Sequence, residues 1–399
     1  MSKCKIKEFV TQLRGVSYKP TDVTDATNGI PILRANNIQD DGMVYDDLIY
    51  VKSEKVKQAQ KLQAGDIVIC TSSGSKALVG KASIFTGYSK VISFGAFCKA
   101  LRINDVVGIN KDFIRVFFSS KLYREQIASS SIGANINNIK SENIDDLNIN
   151  IPTPEVQSAA VEILTQLNKA ILSKKEQLKQ LDELVKSRFI EMFDTIDMSE
   201  ERKDWIELEK ISKIYSGTTP STKDEENWNG DIPWITPAEM NKDTFYITDT
   251  VRKITEKGRK SKSLEMMPAN TVLLSTRAPI GKVGITGIPM TCNQGFKNFG
   301  CGDKLNPIYL YILLKENTEY LNSLGSGTTF LEVSKSKIAK TKIPIPPIEL
   351  QNTFAEFVKQ VDKSKFVNPL SQEFFMRNFY VFIIYHCITK GCINFCMPK

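Results

Sequence analysis

The single histidine of the chain limits the chemistry that the sequence can support. His386 lies close to the end of the 399 residues and has no second histidine to act with. A histidine base, a histidine-paired nucleophile and a multi-histidine metal site all need an imidazole beside other functional groups. The sequence therefore argues against a large share of hydrolase mechanisms.

Two short segments approach the motifs of nucleotide and methyl-transfer chemistry without completing them. A phosphate-binding loop needs Gly-x4-Gly-Lys followed by Ser or Thr. Residues 74–82 read Gly-Ser-Lys-Ala-Leu-Val-Gly-Lys-Ala, with one residue too many between the glycines and alanine in place of the hydroxyl. Residues 368–371, Asn-Pro-Leu-Ser, lack the second proline and the aromatic ring of an amino-methyltransferase motif. We therefore expect a binding subunit with no catalytic residues and no cofactor of its own.

The eight cysteines are expected to be free thiols in a cytoplasmic protein. No stretch reaches the ~18 to 20 apolar residues of a membrane-spanning helix, and residues 1–5 lack the apolar run of a signal peptide. Disulfides are unusual in a reducing compartment. Cys387, Cys392 and Cys396 beside His386 are not spaced like paired zinc ligands, so no metal site is predicted.

Composition and charge are compatible with a globular protein that binds a polyanion. With 41% hydrophobic and 25% charged residues, the chain is long enough for two or three domains. Its net charge of +8 is uneven, since residues 1–150 carry 20 basic and 15 acidic residues, 155–200 carry 6 and 9, and 201–343 carry 21 and 17. Two mildly basic blocks suit nucleic acid, although many proteins without that partner look the same.

An internal repeat with a spacing near 195 residues organises the chain. Segments beginning at residues 29, 66 and 79 are echoed in the same order at 230, 271 and 280. Ile-Pro-Thr-Pro-Glu-Val-Gln at 151–157 is echoed by Ile-Pro-Ile-Pro-Pro-Ile-Glu-Leu-Gln at 343–351. Ordered matches of this kind indicate a tandem duplication of one unit, a strand-rich block followed by a helix.

The elements that position any binding residues follow from turn-bounded apolar runs. Residues 67–70, 113–118 and 272–274 lie between Gly, Ser, Asn and Pro clusters and are interpreted as strands. The prolines near 152 and 345 predict an extended segment followed at once by a helix. The resulting bounds are 1–150 for the first block, 151–200 for a long helical spacer, 201–343 for the second block, 344–365 for a second helix and 366–399 for an atypical Cys- and Phe-rich tail.

The spacer is the clearest secondary-structure signal. A helix over about 155–193 would be on the order of 57 Å long at ~1.5 Å per residue. Its seven-residue repetition predicts a coiled coil with a long partner helix, the alternative being an amphipathic helix on a domain surface. The residues expected to pair are Leu164, Leu167, Ile171, Leu178, Leu181, Val185 and Met192. The second helix begins similarly but loses its pattern after Lys365, so a truncated or frame-shifted end is predicted.

These motifs together resemble the DNA specificity subunit of bacterial type I restriction-modification systems. The resemblance covers residues 1 to about 365 and is carried by the two block starts, by Leu-Leu-Ser-Thr-Arg-Ala-Pro-Ile-Gly-Lys-Val-Gly at 273–284, by Gly-Ser-Gly-Thr-Thr-Phe at 325–330 and by the proline segments before the helices. It is looser in the first half, where Thr-Ser-Ser-Gly-Ser-Lys at 71–76 replaces the Arg-Ala-Pro segment. The resemblance implies an α+β fold with two tandem mixed α/β target recognition domains separated by long helices that pack antiparallel.

The resemblance also implies partners. Each domain would read one half of a split, asymmetric target in double-stranded DNA, and the helix would set the gap between the halves. The subunit would recruit modification (methyltransferase) and restriction (ATP-driven nuclease) subunits. S-adenosylmethionine, ATP and Mg would then belong to those partners.

Candidate DNA contacts are assigned by side-chain chemistry. Arginine can form a fork on guanine or clamp a phosphate, lysine suits phosphate, Asn and Gln can read adenine, and a Gly- and Thr-rich loop lets backbone amides approach a phosphate. The alternative for each is a turn residue or a solvated charge. The candidates are Arg34, Asn36, Asn37, Ser72, Ser73, Lys76, Asn135, Asn137 and Asn138 in the first block, and Thr236, Ser275, Thr276, Arg277, Lys282, Asn293, Gln294, Lys297, Gly325, Gly327, Thr328 and Thr329 in the second.

Three other interpretations remain open from sequence. One is a coiled-coil scaffold whose repeated blocks bind proteins, for which an absence of salt-dependent DNA binding would be the discriminating result. Another is a silent or partly defective specificity subunit that cannot assemble the full complex. A self-contained methyltransferase or nuclease is disfavoured by the missing motifs.

Overall fold

The structure is a computed structural model that describes residues 2–39, 42–75, 78–130, 138–200, 202–241, 244–277, 279–326 and 331–366. The chain divides into two compact units, with the boundary between Lys174 and Lys175. That boundary falls inside the helix that the sequence places between the two blocks. The tail that the sequence analysis singled out lies outside the described residues from 367 onward.

The first unit combines two four-stranded sheets with helices. Its strands are β1 (Ser2–Lys5), β2 (Val10–Arg14), β3 (Val23–Thr24), β4 (Gly29–Leu33), β5 (Ile38–Gln39), β6 (Gly42–Met43), β7 (Ile49–Lys52), β8 (Ile67–Cys70), β9 (Ala82–Ile84), β10 (Ser93–Phe94), β11 (Cys98–Ile103) and β12 (Asn148–Ile151). Its helices are α1 (Lys111–Phe118), α2 (Lys121–Ser130), α3 (Ser141–Asp145) and the start of α4 (Pro154–Phe193). One sheet has the order β2-β11-β8-β9 and the other the order β10-β4-β7-β3.

The second unit repeats this arrangement with a five-stranded and a three-stranded sheet. Its strands are β13 (Ile206–Glu207), β14 (Ser212–Ser216), β15 (Trp228–Ile235), β16 (Tyr246–Ile247), β17 (Lys253–Ile254), β18 (Thr271–Leu274), β19 (Val283–Thr286), β20 (Thr291–Cys292), β21 (Lys297–Cys301) and β22 (Lys342–Ile343). Its further helices are α5 (Leu208–Ile211), α6 (Glu256–Ser261), α7 (Pro307–Glu316), α8 (Thr318–Ser323), α9 (Lys335–Lys340) and α10 (Ile348–Phe366). The sheets have the orders β14-β21-β18-β19-β16 and β17-β15-β20.

The duplication predicted from the sequence is confirmed strand by strand. In the first unit β11 lies antiparallel between β2 and β8, and in the second β21 lies antiparallel between β14 and β18. The short parallel pair β4 and β10 corresponds to β15 and β20. In each unit the first strand pairs with the last, β1 with β12 and β13 with β22. In both units, pairing of the first and last strands therefore brings the two ends of the unit together.

One sequence assignment was wrong. Residues 113–118, expected to be a strand, belong to helix α1. Asn110 caps this helix by accepting from the Asp112 N–H at 2.9 Å. Phe113, Ile114, Phe117 and Phe118 are buried, a spacing that places them on one helical face against the sheet. A short apolar run does not by itself distinguish a strand from a buried helix.

A buried glutamine fixes the start of the long helix in each unit. Gln157 is 0% exposed, accepts from the Asn110 N–H at 2.8 Å, and donates to Gly108 O at 3.0 Å and Pro152 O at 2.9 Å. Its amide thus satisfies backbone groups of two loops at once. The sequence places this glutamine in the repeated proline segment but does not indicate its role.

Gln351 forms the same set of bonds in the second unit. It is 0% exposed, accepts from the Asn306 N–H at 2.8 Å, and donates to Lys304 O at 3.1 Å and Pro346 O at 2.7 Å. The glutamine at the end of each proline segment is therefore a structural clamp. It ties the helix start to the loop before α1 or α7.

In the second unit, the end of α4 packs antiparallel on α10. The Phe354 ring lies 5.4 Å from the Phe189 ring and 5.5 Å from the Phe193 ring, between centroids. Farther along α10, the Lys365 ammonium lies 2.5 Å from an Asp182 carboxylate oxygen. Later residues of α4 thus contact earlier residues of α10, in agreement with the predicted antiparallel pairing.

The residues expected to pair divide between two environments. Leu181, Val185 and Met192 belong to or pack on the apolar cluster that includes α10. Leu164 and Leu167 instead pack on the core of the first unit, with Leu164 2% exposed. Ile171 and Leu178 are half-buried. The seven-residue pattern of the helix therefore serves a domain core at one end and a helix pair at the other.

We predict that Gln351→Leu destabilises the second unit. The substitution leaves the Asn306 N–H and the Lys304 and Pro346 carbonyls without their buried partner, and each such group costs about 1–3 kcal/mol. Chemical denaturation should therefore show a clear loss in the free energy of unfolding. Gln360→Leu, at an exposed position of the same helix, is the control and should change it by less than about 0.5 kcal/mol. Equal effects of the two substitutions would contradict the clamp.

Candidate nucleic-acid interface

The ends of five strands meet at one edge of the second unit. β15 and β20 run parallel and end there, and β14 and β18 end beside the start of antiparallel β21. The Thr276 N–H donates to Gly295 O at 2.8 Å, and the Asn293 N–H donates to Ile235 O at 3.1 Å. We call residues 216–219, 236–240, 275–277, 279–282 and 293–296 the second loop edge.

The first unit has an equivalent edge. The Thr71 N–H donates to Phe97 O at 2.9 Å, and the Gly95 N–H donates to Leu33 O at 2.9 Å. These bonds join the same strand ends as the two bonds in the second unit. We call residues 15–18, 34–37, 71–75 and 95–97 the first loop edge. The repeat therefore presents corresponding loops twice.

A close backbone approach holds each edge together. A Cβ atom at Gly15 would lie 2.1 Å from Gly95 O, and one at Gly217 would lie 1.9 Å from Cys292 O. No side chain fits at either distance, so glycine is required at both positions. The turn that follows β2 therefore lies directly against the residue after β10. In the second unit, the turn that follows β14 lies against the end of β20.

Several candidates of the second block lie at the edge but are buried. Ser275 and Thr276 are 0% exposed, and the Ser275 hydroxyl donates to Pro279 O at 2.8 Å while accepting from the Lys282 N–H. The Lys282 ammonium donates to Pro237 O at 2.8 Å and also to Met240 O. These side chains brace one loop of the edge against another. A contact with DNA through them would require those bonds to break.

Lys297 is also inside the second unit, at 8% exposed. Its ammonium donates to Phe296 O at 3.1 Å. Burial lowers the pKa of Lys297 below its ordinary value of 10.5, opposed by the nearby Glu332 carboxylate. Lys297 therefore supports the backbone beneath the second loop edge and is poorly placed to contact a phosphate.

Other candidates of the second block face solvent at the edge. The Arg277 Nε lies 2.9 Å from a Glu332 carboxylate oxygen, and its side chain is 47% exposed. Exposed Gln294 accepts from the Thr219 hydroxyl at 2.6 Å. The Asn293 side chain accepts from the Gly295 N–H at 2.9 Å. Within the described residues, the amide N–H groups of Gln294 donate no hydrogen bond, so they are available to a ligand.

Thr236 and Gly325 complete the described candidates of the second block. The Thr236 hydroxyl and N–H both donate to a Glu239 carboxylate oxygen at 2.9 Å, which caps a short helical turn. Gly325 is half-buried after α8. The remaining candidates, Gly327, Thr328 and Thr329, lie outside the described residues.

In the first block, the Arg34 and Asn37 side chains have partners within the unit. The Arg34 guanidinium donates to Asp47 O at 2.7 Å and to its carboxylate at 2.6 Å. Asn37 is 1% exposed, accepts from the Arg34 N–H at 2.8 Å, and donates to the carbonyls of Val44 and Asp46. Asn37 thus organises the loop after β4. Its position gives it a structural role.

The other described candidates of the first block are accessible. Asn36 and Asn138 are exposed, and Ser72 and Ser73 are half-buried. Ser72 and Asn138 form an isolated antiparallel bridge, which brings two distant segments to the same edge. Lys76, Asn135 and Asn137 lie outside the described residues.

Sequence reasoning missed an exposed aromatic residue. Phe97 lies on the first loop edge, and its ring is 69% exposed although its carbonyl is fixed by bonds from Thr71 and Ser72. The equivalent position of the second edge is Gly295, where a Cβ atom would lie 3.0 Å from the Pro237 ring. The correspondence between strands β10 and β20 is the signal for Phe97, because this residue follows β10.

The cysteines and membrane criteria give limited further information. The described cysteines are free, and burial raises the pKa of Cys292 and Cys301 to about 12. Within the described ranges, no group of three or more His, Cys, Asp or Glu side chains is placed to hold a metal ion. Cys387, Cys392 and Cys396 lie outside those ranges. Among the described helices, none is both long and apolar enough to cross a membrane.

A duplicated α/β unit that presents corresponding loop edges, joined through a long helix, defines a protein with two recognition domains. The chain belongs to the family of type I restriction modification DNA specificity domains, whose model matches residues 1–183 and again residues 201–372. The resemblance drawn from the residues is thereby confirmed.

Two of the relatives each match about half of the chain. Over 184 residues it is 41% identical to the type I restriction enzyme MjaIX specificity subunit of Methanocaldococcus jannaschii, covering 45% of this chain and 43% of that relative. Over 183 residues it is 40% identical to the EcoKI specificity subunit of Escherichia coli strain K12, covering 45% and 39%. The chain thus spans less than half the length of these relatives.

A solved structure shares the fold along the whole chain. The S subunit of a type I restriction-modification system from M. genitalium aligns with a TM-score of 0.56, at 14% identity, over 96% of this chain and 95% of that one. This agreement confirms the mixed α/β fold class.

We predict a specific pH dependence for Lys297. Because burial lowers its pKa in the folded chain, the unfolded chain binds the proton more readily between that lowered pKa and 10.5. The free energy of unfolding therefore rises with pH across that interval. Lys297→Met removes this contribution, so the free energy of unfolding of the variant, relative to that of the wild type, should fall as pH rises through that interval toward 10.5.

Denaturant titrations at several pH values measure this difference. Lys223→Met, at an exposed position, is the control, and its difference from the wild type should not vary with pH in the same direction. A constant difference between Lys297→Met and the wild type across the interval would contradict an interior Lys297.

Proposed function

We propose that this chain is the specificity subunit of a type I restriction-modification complex and reads an asymmetric, two-part DNA target. The observation that carries the proposal is the pair of loop edges, which share a backbone but differ in side chains. Ser72 of the first edge corresponds to Arg277 of the second, and Phe97 corresponds to Gly295. Equal scaffolds with unequal edges suit recognition of two different half-sites.

The accessible side chains supply the chemistry for such recognition. Arg277 can exchange the Glu332 carboxylate for a guanine or phosphate, since its side chain is half-exposed. Gln294 offers the amide pair that matches adenine. On the first edge, Ser72 and Asn36 offer hydroxyl and amide groups, and Asn138 offers an amide opposite Ser72. The Phe97 ring can contact a thymine methyl group or a base step.

Catalysis is assigned to partner subunits in this proposal. The chain would direct modification and restriction subunits to the target, and those subunits would bind S-adenosylmethionine, ATP and Mg. The long helix α4 supports a docking role, because Leu184 is 48% exposed and Ile190 39% exposed although both are apolar. Apolar side chains on an exposed helix are typical of a partner-binding face.

The first test is to identify the bases that the chain selects. We would co-express it with a modification subunit encoded beside it in a methylation-free host and map methylated adenines. We expect a motif of two half-sites with a constant gap. Gln294→Ala should relax only one half and Ser73→Ala only the other, because the residues lie on different edges. A discriminating base contact is worth about 1–3 kcal/mol, so methylation at relaxed sites should rise roughly tenfold.

Controls separate failure of the chain from failure of the partner. The same modification subunit with an intact relative must methylate its own motif. If it does so while this chain yields no motif, and if the purified chain shows no salt-dependent binding to duplex DNA, the scaffold interpretation replaces the proposal. A contiguous motif without a gap would contradict the two-part reading.

We further predict that Leu184→Ala with Ile190→Ala weakens association with the modification subunit. Both positions are exposed, so the change removes apolar contact area without opening a cavity in the fold. The loss should be about tenfold in the dissociation constant, corresponding to ~1.4 kcal/mol. Calorimetry or co-purification measures it. Lys179→Ala, an exposed change on the same helix, should leave the affinity unchanged, and equal affinities for all variants would place docking elsewhere.

A further inference from the structure

A stacked arginine borders the second loop edge. The Arg252 guanidinium carbon lies 3.7 Å from the centroid of the Trp228 ring and 5.2 Å from that of Trp234. The two indoles meet edge to face, with centroids 5.1 Å apart and an interplanar angle of 84°. The Arg252 side chain itself is exposed. A guanidinium this close to an indole is held by a cation–π contact.

The aromatic platform beneath Arg252 is rigid. The Trp234 indole N–H donates to Thr218 O at 3.1 Å, and the residue is 2% exposed. The Trp228 indole N–H donates to Ser221 O at 3.1 Å. With both indole nitrogens bonded to backbone carbonyls, neither ring can rotate without losing a hydrogen bond.

Hydrogen bonds also place Arg252 beside the second loop edge. Thr218, the acceptor of the Trp234 indole, is part of that edge. The Val251 N–H donates to a Glu239 carboxylate oxygen at 2.7 Å, and Glu239 also belongs to the edge. The Trp234 N–H donates to Arg252 O at 3.1 Å. The guanidinium therefore lies next to the surface that carries Arg277 and Gln294.

Arg252 differs from the other arginines of its unit in its charge environment. Arg188, Arg202, Arg259 and Arg277 each lie 2.6 to 2.9 Å from a glutamate oxygen. In the part of the chain that the structure describes, no carboxylate is bonded to Arg252. The carboxylates nearby are engaged elsewhere, since Asp249 pairs with Lys253, and Asp224 and Glu226 pair with Lys257. Among the described residues, its positive charge is therefore not neutralised by a bonded carboxylate, and its side-chain N–H groups are available to a ligand.

Among its described residues, the first unit has no counterpart of this arrangement. Parallel pairing equates Ile32 with Trp234, since each lies opposite the matching residue of β10 or β20. Ile49 lies opposite Ile32, at the position that Arg252 occupies relative to Trp234. The matching pair in the first unit is apolar, whereas the second unit has an arginine on a tryptophan. The duplicated scaffold therefore does not itself require the arginine. The feature belongs to the second edge.

We propose that Arg252 contacts DNA in the second half of the target and that Trp228 is the residue that positions it. The inference rests on the proposed function. Stacking fixes the guanidinium plane and leaves the N–H groups along its rim for a pair of acceptors, either guanine O6 and N7 or two phosphate oxygens. Because the platform is rigid, little side-chain freedom is lost on binding.

The test compares Arg252→Gln with Arg202→Gln. Both remove one positive charge, and Arg202 also lies over a tryptophan, with its guanidinium carbon 5.5 Å from the Trp205 ring centroid. Arg202 is paired with Glu200 at 2.8 Å and precedes β13, outside the second loop edge, so its loss should not change DNA binding. Each full-length variant is co-expressed with the modification subunit for methylation mapping. Each is then titrated with a duplex of the mapped target over a range of salt.

We expect Arg252→Gln to weaken binding about tenfold while Arg202→Gln binds like the wild type. If the acceptor is guanine, the methylated motif relaxes at one position of the second half only. If the acceptors are phosphate oxygens, the motif is kept, every duplex binds more weakly, and the salt slope falls by about 0.9. An unchanged motif, affinity and slope overturn the inference. A wild-type chain that binds no duplex overturns the proposed function instead.

Trp228 variants test the positioning role. Trp228→Phe keeps a ring under the guanidinium and should retain most of the affinity, whereas Trp228→Leu should match Arg252→Gln. Thermal denaturation verifies that each variant is folded. In the Arg252→Gln background, Trp228→Leu should cause no further loss of affinity, because its effect acts through the arginine. A full additional loss in that background would show that Trp228 supports the fold alone.

Discussion

The close approach of two turns is the constraint on which both recognition surfaces depend. At Gly15 and Gly217 the chain passes so near the carbonyl of Gly95 or Cys292 that a Cβ atom has no space. This approach joins the sheet containing β11 or β21 to the sheet containing the short parallel pair. The ends of strands from both sheets consequently meet at one edge. Without that contact, the loops after β8 and β10, or after β18 and β20, would not share a surface.

A second constraint separates the scaffold from the surface. The clamps at Gln157 and Gln351 use one side chain to satisfy backbone groups of two loops, and they lie at the helix starts rather than at the loop edges. Since backbone groups supply their partners, side chains elsewhere can change without disturbing them. The two edges can therefore diverge, as Ser72 and Arg277 or Phe97 and Gly295 have done, while the strand order is kept. Duplication followed by divergence of edges is what the proposed asymmetric target would require.

Much of the fold was predictable from sequence because it depends on order and period. The repeat, the extended segment before each helix and the bounds of α4 follow from prolines and seven-residue spacing, which act locally. The strand assigned to 113–118 failed because five apolar residues in six fit either element, and only packing on the sheet decides between them. The pairing role of Leu164 stays a prediction. Its position in the heptad does not reveal that the core of the first unit packs against that part of the helix.

The site was less predictable, because residue type does not show which basic side chains are already paired within the folded chain. Lys282 and Lys297 look like phosphate ligands in sequence, yet the first bonds two carbonyls and the second is buried. Arg277 is accessible but shares its charge with Glu332. Arg252 stacks on an aromatic platform and has no carboxylate bonded to it among the described residues. Electrostatic attraction to DNA is governed by charge that remains uncompensated in the folded chain. For this protein, the partners of each basic side chain are therefore a better guide to its DNA surface than the count or spacing of those side chains.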